Sequence, residues 1–374
     1  MEKNIIIGID ASRSNVAQKT GTEYYSLEII KKLIQKKGFN FRLYSKTPLD
    51  YIERGNNSVK NVVMPFPKLW SQVRLSGEMI KNPPDVLFVP AHTIPLITCH
   101  NTVVTLHDIG FRHFPELYTP LERIYHNWCM SFSIRRAKKI IAISDSTRRD
   151  IERIYNADPK KITVIYHGYE KDKYYPLKAG ERAPHWIVKM KPYIYFIGRI
   201  EAKKNIKILI KAFNILKQDK NRKEKLVLAG RPGYMYEEIR DEINKIEQRI
   251  ADDIIELGYV ADEKVSDLMR NASIMAFPSK FEGFGMPLVE AMASGVPVVA
   301  ANTTSIPEIV NNAGLLCDPD SCQEFAAGMK KLLNNKNFYD QMVKRGLKRA
   351  EIFNWENAAD KTLKVIREAS EVSN

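Results

Sequence analysis

Two glutamates, Glu282 and Glu290, stand eight positions apart in "KFEGFGMPLVEAMASGVPVVAA" (280–301), around a Gly-Phe-Gly-Met-Pro segment. Pro287 suits the opening of a helix and Gly295 its end. That punctuation leaves Glu282, Gly283, Gly285 and Glu290 without a role. Glycines let backbone N–H groups approach an anion closely, and a helix start turns its unpaired N–H groups and positive dipole end toward one. The segment therefore reads as a diphosphate cradle without a lysine. Glu290, expected in the first helical turn, has the two acceptor oxygens that a vicinal diol such as a ribose requires. Glu282 is expected beside the phosphate. Read as bare structure, the same letters describe a capped helix with two incidental acids.

A second group lies upstream. "IGRIEAKKN" (197–205) sets Gly198 and Arg199 at the end of an apolar strand, with Lys203 and Lys204 where the next helix opens. Ligands bind at the carboxyl ends of parallel strands. A guanidinium fork and a point charge five residues later can neutralise a departing diphosphate together. Alone, the pair would read as a solvated basic loop; the Gly-Phe-Gly helix start in the same domain argues for the site. His107 closes the apolar run "TVVTLHD". By itself it reads as a hydrogen-bonded structural histidine, as do His92, His113 and His126. "DPD" (318–320) has the letters of a metal motif but follows the strand-like "GLLC", and reads as a turn.

These residues need a scaffold, and apolar strands alternate with amphipathic helices throughout. "NIIIGID", "FNFRLYS", "DVLFVP", "NTVVTLHD", "KKIIAIS" and "KITVIYHG" read as strands in the first half. "YIYFIGR", "KLVLAG", "IIELGYV", "SIMAFPS" and "VPVVAA" do so in the second. Helices are expected near 21–38, 204–218 and 234–250. The alternation predicts an α/β protein of two doubly wound, Rossmann-like domains facing a cleft. The segment "LKAGERAPHWIVKMKP" (177–192) has no periodicity and reads as the linker. The expected division is 1–180, 181–353 and a C-terminal helix, 354–374, packing back on the first domain through Ala358, Leu363 and Ile366. Trp70 and the run "LERIYHNWCMSF" (121–132) read as core.

The 374 residues suffice for two such domains, and no apolar run approaches the length of a membrane span. Four cysteines without ligand spacing predict reduced thiols in a cytoplasmic protein and no zinc site. The net charge of +14 is lopsided, since residues 1–185 hold 29 basic and 18 acidic side chains. That imbalance points to an anionic partner of the first domain, a phospholipid surface on the inner face of the cell membrane or a lipid-diphosphate acceptor. Nucleic acid would also explain the charge, but aromatic–basic interleaving and any reading module are missing.

Together these segments resemble retaining glycosyltransferases of family 4, which have the two-domain GT-B fold. "EGFGMPLVE" is similar to that family's E-x7-E motif, and "GRIEAKKN" to its G-R-x4-K-N segment. "TLHDIGFRHFPELY", "IIAISDSTRRDI", "VIYHGYEKDKYYP" and "SIPEIVNNAGLLCDPD" extend the resemblance over nearly the whole chain. It implies that Arg199 and Lys204 bind and stabilise the donor diphosphate, beside Gly198. Backbone amides of Phe284, Gly285 and Met286, with Gly283, would hold phosphate and sugar. Glu282 would meet the sugar hydroxyls, Glu290 the ribose, and the backbone at Gly258, Tyr259 and Val260 the base edge. In the first domain, "QKTGTEYY" matches a glycine-bearing loop whose Gly21 and Thr22 would close over diphosphate and acceptor, and His107 would contact the donor sugar.

The resemblance further implies a metal-independent hexosyltransferase that uses a nucleotide-diphosphate sugar as co-substrate and no cofactor. Its acceptor would be a saccharide or lipid-linked saccharide. "HDIGFRHFPELY" with "EGFGMP" most resembles mannosyltransferase-like enzymes of bacterial surface polysaccharide synthesis, which favours GDP-mannose over UDP-glucose. A nucleotide-sugar epimerase of the same architecture is the alternative reading. A non-catalytic binding protein is a further one. Arg199 and Lys204 are both expected in an open cleft, where their removal leaves folding unchanged.

Overall fold

The computed structural model describes residues 5–16, 19–53 and 57–371. Asn4 of the first apolar run and Gln18 of the glycine-bearing loop lie outside them. The chain forms two compact units, residues 1–168 with 354–374, and residues 169–353. The first is built on β1 (Ile6–Asp10), β2 (Asn40–Ser45), β3 (Val59–Val63), β4 (Val86–Val89), β5 (Thr102–Leu106), β6 (Lys139–Ala142) and β7 (Ile162–Val164). Its sheet runs β3-β2-β1-β4-β5-β6-β7, with every neighbouring pair parallel. The second holds β8 (Tyr193–Ile197), β9 (Lys225–Ala229), β10 (Ile254–Gly258), β11 (Ile274–Phe277), β12 (Val298–Ala301) and β13 (Gly314–Cys317). That sheet runs β10-β9-β8-β11-β12-β13, again all parallel.

Both units are thus doubly wound α/β layers, as the alternation predicts. β4, β5, β11 and β12 are apolar along nearly their full length and buried at every residue, as strands covered on both faces must be. β3 escapes the sequence reading because it is an edge strand. Lys60 and Asn61 interrupt its apolar letters, and Asn61 donates to the Leu43 carbonyl at 3.1 Å. In each sheet the winding reverses beside its first strand, between β1 and β4 and between β8 and β11. Crossovers leave in opposite directions there, so the carboxyl ends of those strands flank an open crevice.

Two expectations need correction. The division between units falls at Gly168/Tyr169 rather than at 180/181. Glycine, proline and charge correctly marked 177–192 as irregular, but packing into the second unit begins earlier. The Tyr175 ring lies under the Arg270 guanidinium at 4.4 Å, and Pro176 lies against Gly295. The second correction concerns the aromatic run. Trp70 is buried and donates to the Met64 carbonyl at 2.7 Å, but Leu121, Ile124, Tyr125 and Trp128 are exposed. They lie on the Pro120–Arg136 helix, which sends Cys129, Met130, Ser133 and Ile134 inward instead. Its apolar residues are too many for one face, and period alone does not say which stripe is covered.

The last helix, Trp355–Ser370, belongs to the first unit. Ala358, Leu363 and Ile366 join Ile7, Ile29 and Ile30 in one buried cluster. Lys32 and Lys36 from the Gly21–Leu33 helix and the residues after it pair with Glu356 at 2.7 Å and Asp360 at 2.6 Å respectively. The seat is tight at Gly168, where a Cβ would lie 2.2 Å from the Trp355 backbone nitrogen. Gly168→Ala should therefore cost about 1–3 kcal/mol by forcing the helix off its seat. Denaturant unfolding of the full chain checks this; wild-type stability would show that the seat yields freely.

Candidate functional site

The site in the second unit is assembled from strand ends. After β8, Gly198 accepts the close approach of β9's end: Gly198 N donates to the Ala229 carbonyl at 2.9 Å, and a Cβ on Gly230 would lie 1.7 Å from the Gly198 oxygen. Only glycine fits at 230. The chain then crosses back, with Ile200 N donating to Arg231 O and Gly233 N to Ile200 O, both at 2.9 Å. This backbone weave fixes Arg199, whose side chain is 66 % exposed, and delivers the short turn Ala202–Lys204. Asn205 closes that turn in the left-handed region (φ 58°) and donates to the Pro319 carbonyl at 2.6 Å. The Ile206–Leu216 helix begins directly afterwards, inside the 204–218 span that periodicity predicts.

Across the switch point, the loop after β11 carries Glu282. Its carboxylate accepts a hydrogen bond from Lys204 Nζ at 2.6 Å, with both side chains about 15 % exposed (15 % and 14 %). Two residues predicted from separate motifs, 78 positions apart, therefore meet. Arg199 lies on the same strand-end segment but does not join the pair; the nearest carboxylate to it is Glu201, at 4.0 Å. The expectation of an open setting holds for Arg199 and fails for Lys204, which is mostly enclosed and ion-paired.

The Gly-Phe-Gly loop is held from below by a residue that motif reading passes over. Ser305 Oγ is 2.9 Å from the carbonyl oxygens of both Glu282 and Phe284, and Thr304 Oγ1 accepts from Glu282 N at 3.1 Å. In a trans peptide the N–H points opposite to the preceding C=O. The amides of Gly283 and Gly285 are thereby aimed away from Ser305. Phe284 anchors the loop, buried edge-on against Phe353 at 5.7 Å. Gly285 (φ 102°) then caps the helix Met286–Ala293, whose second residue is Pro287. Glu290 falls in its second turn, one turn later than expected.

Glu290 is strongly perturbed by its surroundings. Burial pushes its carboxyl up to about 7, opposed by a hydrogen bond from the Tyr174 hydroxyl and reinforced by the charge of Glu170. Tyr174 lies over a hundred positions upstream, in a segment assigned to the other domain by the sequence, so no spacing pattern could have paired them. At the neighbouring strand end Arg231 stacks on the exposed Tyr259 ring at 4.5 Å, beside Gly258 and Val260. "DPD" is a tight turn: Asp318 Oδ1 accepts from Asp320 N at 2.9 Å, and Asp320 pairs with Lys280 at 2.8 Å.

Gly21, Thr22 and His107 belong to the first unit. Gly21 opens the Gly21–Leu33 helix behind a capping box formed by Thr20 and Glu23, and the space where its side chain would be is empty. His107 is buried at the end of β5, its Nε2 2.9 Å from the Pro90 carbonyl. Burial, with His92 adjacent, drives its pKa down to about 3. The ring is therefore neutral at physiological pH, carries its proton on Nε2, and leaves Nδ1 as an acceptor.

The Glu290 shift has a testable sign. An unfolded chain ionises this carboxyl near 4.5, whereas the folded protein holds the proton until about 7. Its contribution to stability is complete below about 4.5 and declines as pH rises through about 7, at up to ~1.4 kcal/mol per pH unit. Glu290→Gln should flatten this part of the profile, making the variant gain on wild type as pH rises from about 5 to about 7.5. Thermal unfolding of the ligand-free pair across that range is the check; parallel profiles would mean the carboxyl is ionised throughout.

Comparison with known proteins joins these arrangements to a family. Residues 178–349 match the model described as glycosyl transferases group 1, and residues 20–173 the model described as Glycosyltransferase Family 4. An O-antigen chain mannosyltransferase B of Escherichia coli is 33 % identical over 268 residues, covering 70 % of this chain and 68 % of its own. Sucrose-phosphate synthase from Thermosynechococcus elongatus superposes with a TM-score of 0.74 at 17 % identity, over 98 % of this chain and 99 % of that one. Anabaena HepE, solved in complex with UDP and glucose, superposes with a TM-score of 0.72 at 18 % identity, over 97 % and 99 %. The fold, the two strand-end motifs and the end-to-end match agree: the chain belongs to the family 4 glycosyltransferases and has their GT-B architecture of two Rossmann-like units.

Proposed function

We propose that the protein is a retaining, metal-independent hexosyltransferase that moves a mannosyl group from GDP-mannose to a saccharide or lipid-linked saccharide. The observation that carries this reading is the Lys204–Glu282 pair, set beside Gly198 and Arg199 at the switch point of the second sheet. A cation for the diphosphate and a carboxylate for sugar hydroxyls then stand within one hydrogen bond of each other. The mannosyltransferase name of the Escherichia coli relative favours mannose, and the UDP bound by Anabaena HepE favours a nucleoside diphosphate. UDP-glucose is the second donor to test.

In the proposed mechanism the anomeric C–O bond to the diphosphate breaks, and the acceptor oxygen attacks from the same face. The acceptor's proton passes to the departing diphosphate oxygen, so no protein base is required. Arg199, Lys204 and the amides of Phe284, Gly285 and Met286 stabilise the growing negative charge, which is the main catalytic term. Glu290 holds the ribose with Tyr174 positioning its carboxyl. The Arg231–Tyr259 stack offers a flat face for the base beside Gly258 and Val260. In the first unit, Gly21 and Thr22 contribute helix-start amides, and neutral His107 accepts a sugar hydroxyl on Nδ1. The basic first unit brings the enzyme to an anionic membrane surface, where a lipid-linked acceptor resides.

Incubation with GDP-mannose and UDP-glucose, each with and without acceptor, tests the reaction class. Acceptor-dependent release of nucleotide is expected; an isomerised nucleotide sugar without acceptor would identify an epimerase instead. Interactions stronger in the transition state than in the ground state raise the rate of the chemical step. Lys204→Ala and Arg199→Ala should each lower kcat by about 10²–10³, comparable to losing one preorganised oxyanion donor. Arg199→Lys should recover only part, because the fork is lost. Stability should separate the two: Lys204→Ala also costs about 1–3 kcal/mol, because Glu282 loses its charged partner, whereas exposed Arg199 is removed freely. Wild-type turnover by both alanine variants would overturn the diphosphate assignment.

A further inference from the structure

The Pro120–Arg136 helix carries an outward face that the sugar-transfer site does not use. Leu121, Ile124, Tyr125 and Trp128 recur at the spacing of one helical face and are 79 %, 67 %, 42 % and 44 % exposed. Trp128 stacks on Phe132 at 5.4 Å, which continues the stripe by one turn. On this helix's face the stripe ends at Arg135 and Arg136, both exposed. The Gln72 side chain donates to Tyr125 Oη at 3.1 Å and so joins the helix to the segment carrying exposed Leu69 and Val73. Single exposed apolar residues need no explanation, but a helical stripe with two aromatics and a neighbouring pair of aliphatics does.

We infer that this face is where the protein enters an anionic phospholipid surface, with Leu121, Ile124 and Trp128 in the acyl boundary and Arg135 and Arg136 at the headgroups. The charge pattern selects a lipid surface. The helix has three arginines and one acid, Glu122, and that carboxylate is turned into the capping box by bonds from Thr119 N at 2.8 Å and Oγ1 at 2.9 Å. The arginines therefore outnumber the acids on this helix three to one, which favours an anionic headgroup layer. Apolar residues including Trp on one side, with flanking arginines, are the pattern of a helix lying in the membrane interface rather than spanning it. No helix among the described residues is long and apolar enough to cross a membrane. The inference deepens the membrane-surface part of the proposed function and rests on it, replacing diffuse attraction to a basic unit by one insertion surface.

The test is co-flotation of the full chain with vesicles of phosphatidylglycerol and phosphatidylethanolamine, against vesicles of phosphatidylcholine. Wild type should prefer the anionic vesicles and keep part of its binding at high salt, because apolar insertion is not screened. The Ile124→Ser/Trp128→Ser variant should bind about tenfold more weakly or worse and lose the salt-resistant fraction. Arg135→Glu/Arg136→Glu should weaken binding chiefly at low salt. All these side chains are exposed, so an unchanged melting temperature and unchanged rate with a soluble acceptor serve as controls. Equal binding by wild type and the Ser variant, lost altogether at high salt, would overturn the insertion face and leave the electrostatic reading standing. No preference for anionic vesicles would overturn both. A concentration-dependent dimer abolished by the Ser variant, without vesicle binding, would assign the face to a second copy of the chain and overturn the inference.

Discussion

One ion pair ties the two strand-end motifs of the second unit together. Lys204 and Glu282 come from opposite sides of the switch point in the second sheet, and their 2.6 Å bond closes the distance between the end of β8 and the end of β11. Everything near it is arranged to make that meeting possible. The glycine at 230 lets two strand ends cross, Asn205 takes a left-handed conformation to end the lysine turn, and Ser305 grips the loop that bears the glutamate. Because both partners are largely withdrawn from water, their geometry is fixed more firmly than in a surface pair, where side-chain entropy cancels most of the attraction. The parallel sheet supplies the rest of the constraint, since it brings all strand carboxyl ends, and hence these motifs, to one edge.

The first unit uses the same winding to different effect. One of its strand ends carries a neutral, buried histidine, and its Pro120–Arg136 helix leaves Leu121, Ile124, Tyr125 and Trp128 exposed. The last helix of the chain completes its core, so sequence continuity and structural unit part company twice, at Gly168/Tyr169 and at Phe353/Asn354. The Gly168 contact with Trp355 shows how closely the returning segment is fitted. Residues separated by the entire second unit therefore share one hydrophobic cluster, which makes the first unit's folding depend on the end of the chain.

What the sequence disclosed follows from range. Buried parallel strands are continuous apolar runs, so nearly all were legible, and edge strand β3 was hidden by Lys60 and Asn61. Short motifs were legible because their letters are contiguous: Gly198, Arg199 and Lys204 in one, Glu282 to Glu290 in the other. Both motifs were expected to serve one diphosphate, but a direct Lys204–Glu282 bond was not foreseen. Tyr174 and Ser305 were out of reach because each acts on its target through tertiary placement, with no local signature. The stripe at 121–128 was misjudged for a related reason. Periodicity detects an apolar face, but only the surrounding packing decides whether that face meets a core or the solvent.

The ion pair also constrains how the proposed chemistry must begin. Lys204 is already paired with Glu282, so on the proposed reading an arriving diphosphate would gain only the difference between its own attraction and that of Glu282. A carboxylate left behind in a largely enclosed place would be costly unless another donor replaced the ammonium. On the proposed reading, the sugar hydroxyls supply that donor, so diphosphate and sugar compensate each other at a single exchange. A nucleoside diphosphate alone would claim Lys204 and strand Glu282, whereas the intact nucleotide sugar satisfies both. On that reading the arrangement would favour the complete donor over the spent one. On that reading Arg199, exposed and outside the pair, would be able to follow the phosphate as charge develops on it.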